Sequence, residues 1–225
     1  MFNSAVDEIN SLKYKTYNGS KIPEIINKRV EEFKTLGLFG RTKFDFRPFL
    51  DVDLETGIFG ELCFCILTAN SSAELGIRIQ REIGDDGFAN LPENRIAEIL
   101  SKMGHRYPAV RAKYIVLARS FDLDKVLKQK NGKIARQIVS QVKGLGMKES
   151  SHFLRNIGYD DIAIVDRHIY RFLVRHKLVP YKDTITPSIY MESERVLEDI
   201  SEKTQIPLPA LDLYIFFKQA GKVLK

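Results

Sequence analysis

The sequence contains no tryptophan and only two cysteines, Cys63 and Cys65, among its 225 residues. Two cysteines are too few to ligate an iron–sulfur cluster. They also lie only two positions apart within an apolar run, which does not suit a structural zinc site. We therefore interpret both cysteines as buried thiols.

The sequence also lacks long apolar runs. No segment approaches the roughly 20 consecutive apolar residues that span a bilayer. The first residues lack the positively charged start and the apolar stretch of a secretory signal peptide. We therefore expect an intracellular protein without membrane contacts. The hydrophobic fraction of 44% and the charged fraction of 28% are ordinary for a folded globular protein.

Acidic residues are scarce in one part of the chain. Residues 101–148 contain twelve lysines and arginines but only two acids, Asp122 and Asp124. Since the whole chain has a net charge of +6, this segment carries +10 and the remainder −4. A basic face releases condensed counterions when it neutralises phosphates, so this segment predicts a polyanion-binding surface. A solvated basic surface is the alternative interpretation.

Alternating runs typical of strands are scarce as well, whereas apolar residues recur at helical spacing. This pattern predicts an all-α fold, which we expect to form two helical lobes that share a cleft. In residues 41–58, Pro48 favours an irregular connection over a strand. Ser71 and Glu74 form a capping-box pattern, and 84–87 predicts a turn. Helices are predicted at 3–13, 22–36, 60–69, 71–83, 94–103, 109–119 and 122–128.

Residues 134–157 have the pattern of a helix-hairpin-helix. Ile134, Ile138 and Val142 are spaced for one face of a first helix, and a second helix begins directly after a Gly-x-Gly turn. Two glycines allow a tight turn whose N–H groups point outward toward a phosphate. We expect backbone phosphate contacts from Gly144, Leu145, Gly146 and Met147. An ordinary turn between helices would show the same Gly-x-Gly.

Lys148 and Asp166 stand out beside this turn. Lys148 lies at the start of the second helix, and Asp166 follows 18 residues later. Asp166 directly precedes an apolar-periodic helix that contains Ile169 and Phe172, so it is predicted to cap that helix. A phosphate contact by Lys148 is the structural alternative to a chemical role.

These segments together resemble the helix-hairpin-helix DNA glycosylase superfamily and, within it, the archaeal-type 8-oxoguanine DNA glycosylase/AP lyases. The resemblance implies that Lys148 attacks the sugar of a flipped nucleotide, forms a Schiff base and allows strand cleavage by β-elimination. It implies that Asp166 stabilises positive charge on the sugar and assists proton transfers. The resemblance is carried by residues 64–70, 104–107, 111–115, 144–156 and 221–225.

The resemblance also implies a pocket for the damaged base, formed by His152, Asp212, Phe216 and Lys225. His152 lies four residues after Lys148 and therefore on the same helical face. Phe216 would stack on the base where family members often have tryptophan, and the final residue, Lys225, would help to distinguish 8-oxoguanine from guanine. A surface histidine, a solvated aspartate, a core phenylalanine and a frayed terminal lysine are the alternatives.

The implied partner is double-stranded DNA that contains 8-oxoguanine, and the implied protein is a monomer at the cytoplasmic nucleoid. No metal or organic cofactor is required; a monovalent cation at the hairpin is the one ion that the resemblance allows. We expect one unit of residues 1–225. Two other functions fit the residues: a non-catalytic helix-hairpin-helix DNA-binding protein, and a monofunctional glycosylase for alkylated or mismatched bases in which Lys148 only contacts DNA.

Overall fold

The computed structural model describes residues 1–225 and confirms the all-α fold. Twelve helices and two short antiparallel hairpins surround one continuous apolar core of 57 buried residues. No helix is long and apolar enough to cross a membrane. The division into two lobes stays a prediction. The helices are α1 (Phe2–Leu12), α2 (Ile22–Phe39), α3 (Ile58–Thr68), α4 (Ala73–Asn90), α5 (Glu93–Lys102), α6 (Pro108–Ala118), α7 (Leu123–Leu127), α8 (Gly132–Val139), α9 (Met147–Asn156), α10 (Arg167–Arg175), α11 (Pro187–Thr204) and α12 (Leu208–Ala220).

Residues 41–58 contradict the predicted irregular connection. The first hairpin pairs β1 (Thr16–Tyr17) with β2 (Ser20–Lys21), and a second pairs β3 (Arg41–Asp45) with β4 (Asp53–Gly57). Thr42 and Phe44 on β3 are buried and alternate with more exposed neighbours, as a half-buried strand requires. Pro48 lies in the turn, where its missing N–H costs no ladder hydrogen bond.

The helix predicted at 60–69 is confirmed as α3, whose residues from Gly60 to Thr68 are all buried. It packs against α4, where a Cβ at Gly76 would lie 2.9 Å from Thr68 and 3.0 Å from Phe64. The predicted cap of α4 was wrong by one residue, because Ser72 accepts the hydrogen bond from the Leu75 N–H. The predicted turn at 84–87 is a local break at Gly84, after which α4 continues to Asn90.

The helix-hairpin-helix is confirmed as α8, a tight turn and α9. The predicted apolar face of its first helix was wrong, because Ile134 is exposed and Ile138 is only half-buried. The buried face of α8 is instead formed by Gly132, Ala135, Arg136 and Val139. An arginine takes a core position there because it is neutralised by a buried glutamate of α11.

The last helix ends earlier than the apolar spacing predicts. The helical spacing of Leu213, Phe217, Ala220 and Leu224 predicts that they point from one helix into the core. However, α12 ends at Ala220, which is exposed, and Gly221 follows in the left-handed conformation. The chain leaves the helix at Gly221, so Leu224 and Lys225 are buried from outside the helix. Both residues line the candidate site.

Candidate active site

The hairpin between α8 and α9 requires glycine at its first position. Gly144 has a φ of +95°, and a Cβ there would lie 2.4 Å from the ring of Tyr114. The N–H groups of Leu145 and Gly146 are bonded internally, to the carbonyl of Val142 and the side chain of Glu149. The N–H groups of Gly144 and Met147 have no intramolecular partner.

A cavity of about 850 Å³ opens beside this hairpin. Its wall is built from one face of α9, the residues that enter α10, one face of α12 and the last two residues of the chain. The connection between α3 and α4, Arg106 and the start of α11 complete the wall, so residues from several separate parts of the sequence meet at one space. All six predicted catalytic and base-pocket residues line it: Lys148, His152, Asp166, Asp212, Phe216 and Lys225. Of the four predicted phosphate contacts, only Met147 lines it.

Lys148 occupies the second position of α9, with 29% of its side chain exposed. Its Nζ lies 3.7 Å from Oε1 of Glu149, a long contact that leaves the amine able to reach other groups. Asp166 caps α10 as predicted: its Oδ1 accepts hydrogen bonds from the N–H groups of His168 and Ile169, both at 2.8 Å. The cap holds the carboxylate at the cavity wall.

His152 is buried, so the surface-histidine alternative is wrong. Its ring meets Phe64 edge-on, with centroids 5.6 Å apart. Burial, together with the nearby cations Arg155 and Lys148, holds the pKa of His152 well below its usual range. His152 is therefore a neutral ring next to Lys148.

Asp212 is buried too, so it is not the solvated aspartate of the alternative interpretation. Its Oδ2 accepts a hydrogen bond from Nη2 of Arg155 at 3.0 Å. Burial raises the pKa of Asp212 to about 6; Arg155 opposes this rise and Asp166 adds to it. Sequence reasoning missed Arg155, although its position three residues after His152 places it on the same face of α9.

Phe216 is half-buried on the cavity wall, with its ring 5.2 Å from that of His168 at an interplanar angle of 77°. His168 also lines the cavity and was missed by sequence reasoning. As the second position of α10, it follows the Asp166 cap directly, and that position was the available signal.

Lys225 has a fully buried side chain, so the frayed-end alternative is wrong. Its Nζ donates to Glu61 at 2.5 Å and to Gln80 at 2.7 Å, and neither of these partners lines the cavity. Burial lowers the pKa of Lys225, and Glu61 opposes that shift. The main chain of Lys225, and not its ammonium group, therefore borders the cavity. Sequence reasoning missed Glu61, although a lone acid in the apolar α3 signals a buried partner.

Comparisons with known proteins agree with this geometry. The family model described as 8-oxoguanine DNA glycosylase matches residues 40–206. The 8-oxoguanine DNA glycosylase/AP lyase of Aquifex aeolicus is 50% identical, covering 91% of this chain and 96% of the relative. The Methanocaldococcus jannaschii 8-oxoguanine glycosylase/lyase, crystallised with a 15mer DNA containing 8-oxoguanine, is similar with a TM-score of 0.83 and 44% identity, covering 99% of this chain and 100% of that one. The 8-oxoguanine DNA glycosylase of Thermotoga maritima gives 0.85 and 35%, with both chains fully covered.

A helix-hairpin-helix whose second helix presents a lysine, with an aspartate-capped helix facing the same cavity, defines a helix-hairpin-helix DNA glycosylase. The family model matches most of the chain, and the relatives have high sequence identity to it, which narrows this class to one family. The chain belongs to the 8-oxoguanine DNA glycosylase family.

Proposed function

We propose that this chain excises 8-oxoguanine from double-stranded DNA and then cleaves the strand at the abasic site. The observation that carries this proposal is that Lys148 and Asp166 line one cavity beside the hairpin. The cavity of about 850 Å³ lies within the range of small-molecule sites and is large enough for a purine nucleotide. Because a duplex hides the bond between base and sugar, the nucleotide must be flipped into this cavity.

Lys148 acts as the nucleophile. Its neutral amine attacks C1′ of the sugar, the bond from C1′ to the base breaks, and the base leaves with a proton. The remaining proton on the lysine nitrogen then passes to the ring oxygen O4′, the bond from C1′ to O4′ breaks, and a double bond from C1′ to the nitrogen forms the Schiff base. Removal of a proton from C2′ then breaks the bond between C3′ and the phosphate oxygen, which cleaves the strand.

Asp166 assists these steps through the oxygen that its helix does not use. Oδ1 is held by two backbone N–H groups, whereas Oδ2 has no hydrogen bond within the protein. A carboxylate in this position stabilises the oxocarbenium-like charge that develops on the sugar. It can also accept and return protons of Lys148.

The base occupies the part of the cavity between α9 and α12. Phe216 stacks on the flipped purine, and His152 and Asp212 contact its edges. Lys225 closes this end of the pocket with its main chain, which its buried ion pair with Glu61 holds in place. This arrangement contributes to the distinction between 8-oxoguanine and guanine.

Gly144 and Met147 hold a DNA phosphate through their N–H groups, aided by the positive end of α9. Leu145 and Gly146 shape the turn, and carbonyl oxygens of the hairpin can coordinate a monovalent cation. The reaction needs no organic cofactor. The protein acts as a monomer at the cytoplasmic nucleoid.

Borohydride trapping on a duplex that contains one 8-oxoguanine tests the proposal, because borohydride reduces the Schiff base to a stable covalent link. The wild-type protein should be trapped and should nick the damaged strand. Lys148→Gln should abolish both products. Lys203→Gln, an exposed lysine at the end of α11, is the matched control and should retain both.

The other outcomes separate the alternative functions. Base release without trapping, retained in Lys148→Gln, would show a monofunctional glycosylase in which this lysine only contacts DNA. Binding to the duplex with neither product from the wild type would show a non-catalytic DNA-binding protein. Either result overturns the proposal.

A further inference from the structure

The cavity contains a buried ion pair that the reaction at the sugar does not use. Arg155 on α9 and Asp212 on α12 are joined by one hydrogen bond of 3.0 Å, with 4% and 10% of their side chains exposed. Both residues line the cavity. The guanidinium of Arg155 lies over the ring of Phe33, 4.4 Å from its centroid, and this contact fixes the plane of the guanidinium.

This pair is incompletely satisfied. Nε and Nη1 of Arg155 and Oδ1 of Asp212 are buried without a hydrogen-bond partner in the protein. A buried polar atom without a partner costs about 1–3 kcal/mol, and more when it is charged. A pair kept only for stability would be expected to use these atoms, because buried polar groups are almost always bonded. Because both residues line the cavity, the unpartnered atoms point to a ligand that completes them.

The unused atoms offer a donor beside an acceptor. Guanine-type bases present the complement on the edge used for Watson–Crick pairing: the O6 acceptor next to the donors on N1 and N2. Adenine-type bases present the opposite order, with an N6 amino donor next to an N1 acceptor. An adenine-type base would therefore place its amino group against the Arg155 guanidinium and its N1 lone pair against the Asp212 carboxylate, and both contacts are unfavourable.

We propose that Arg155 is a specificity-determining residue, which orients Asp212 and together with it recognises the O6–N1 edge of a flipped 6-oxopurine. This inference rests on the proposed excision of 8-oxoguanine. It assigns the two residues to the class of base that is accepted. The edge is identical in guanine and 8-oxoguanine, so the pair does not contribute to the distinction between those two bases.

The test compares three substrates under single-turnover conditions: duplexes that contain 8-oxoguanine, 8-oxoadenine or a preformed abasic site. The abasic duplex has no base, so its cleavage reports on folding and on the chemistry at Lys148 alone. The variants are Arg155→Met, which keeps an unbranched apolar side chain but removes the donors, and Arg155→Lys. Arg171→Met, at an exposed position of α10, is the control.

We expect Arg155→Met to lower excision of 8-oxoguanine about 10- to 100-fold, the effect of losing a hydrogen bond to a charged group. The preference for 8-oxoguanine over 8-oxoadenine should fall with it, and cleavage of the abasic duplex should stay within about twofold of wild type. Arg155→Lys should give an intermediate rate, because a lysine keeps the charge but not the planar fork. Arg171→Met should match wild type on all three substrates.

An equal fall on the 8-oxoguanine and abasic duplexes would show that Arg155 supports the structure only, and an unchanged base preference would overturn the inference as well. If Arg155→Met does not fold, Arg155→Lys decides by the same ratio. Failure of the proposed function has a different signature, since the wild type itself would then cleave the strand of neither the 8-oxoguanine nor the abasic duplex.

Discussion

The two helices of the hairpin motif each bury one arginine against a carboxylate, and the two pairs differ in how completely they are bonded. Arg136 on α8 contacts Glu194 through two hydrogen bonds of 2.7 and 2.9 Å and also donates to Ser151. Arg155 on α9 makes a single bond to Asp212 and leaves two of its nitrogens unpartnered. Arg136 has no buried polar atom without a partner.

The fully bonded pair supports the active site without lining it. Glu194 accepts the N–H of Ala163, and the neighbouring Tyr190 accepts the N–H of Val165. These bonds hold the segment that leads directly into Asp166. Burial of an ion pair therefore does not by itself indicate its role. The pair proposed to contact the base differs from the pair that organises the fold in its unused hydrogen-bonding atoms and in lining the cavity.

The largest effect is expected on stability. Arg136→Met should lower the free energy of unfolding by about 3–5 kcal/mol, because it leaves a carboxylate buried without its counter-charge. Arg155→Met should cost less, since Asp212 has a pKa of about 6 and its protonation at pH 7 costs at most about 1.4 kcal/mol. Urea unfolding at pH 7 measures both. Equal losses of unfolding free energy in the two variants would contradict the predicted energetic difference between the two pairs.

Replacing the carboxylate of each pair with an amide should affect the ratio of base excision to abasic cleavage in one pair and not in the other. Asp212→Asn should lower excision of 8-oxoguanine about 10- to 100-fold relative to cleavage of an abasic duplex, because the amide cannot present the same acceptor to the base. Glu194→Gln should change the two reactions in the same proportion. Single-turnover rates on the two duplexes provide the ratio. A ratio that shifts for Glu194→Gln, or stays constant for Asp212→Asn, would contradict this assignment.

The same ratio should depend on pH. The pKa of Asp212 is raised to about 6, so the carboxylate is ionised above this value and becomes protonated as the pH falls through it. Protonation removes the acceptor, so excision should decline relative to abasic cleavage between about pH 7 and 5. Other charged or titratable groups line the same cavity: Lys148, His152 and Arg155 from α9, and Asp166 with His168 at the start of α10.

Dividing by abasic cleavage cancels the titration of the groups that serve both reactions. In Arg155→Met the midpoint of this decline should move to higher pH, because the nearby cation lowers the pKa of Asp212. A midpoint that is the same in the variant and the wild type would contradict the coupling between these two residues.

The smallest effect is expected for Ser151→Ala. The Ser151 hydroxyl accepts hydrogen bonds from Arg136 at 3.2 Å and from Tyr190 at 3.0 Å, and both donors have other acceptors. Its loss should cost about 1 kcal/mol of unfolding free energy. The ratio of excision to abasic cleavage should not change. Thermal unfolding measures the stability. A loss above about 3 kcal/mol would show that the pair of Arg136 and Glu194 depends on this hydroxyl.

Local sequence patterns predicted the fold correctly where a single feature, such as composition or glycine spacing, was decisive. The apolar α3 and the turn between α8 and α9 follow from composition and from Gly-x-Gly spacing, and both are confirmed. Residues 41–58 were predicted wrongly because Pro48 was taken to exclude strands on both sides, although it occupies only the turn between them. Ile134 and Ile138 have the spacing of one helical face, but the buried face of α8 includes Arg136, which the sequence pattern did not indicate because its partner Glu194 is distant in the chain.

Sequence patterns predicted the helical fold, the hairpin, the position of Lys148 and the cap at Asp166, because each depends on neighbours within one or two helical turns. Tertiary packing brings Arg155 to Asp212 across 57 residues of chain. It likewise decided that Lys225 turns its ammonium group toward Glu61, away from the cavity. The partners of a buried charge depend on how distant elements pack, and spacing along one helix carries no information about that packing.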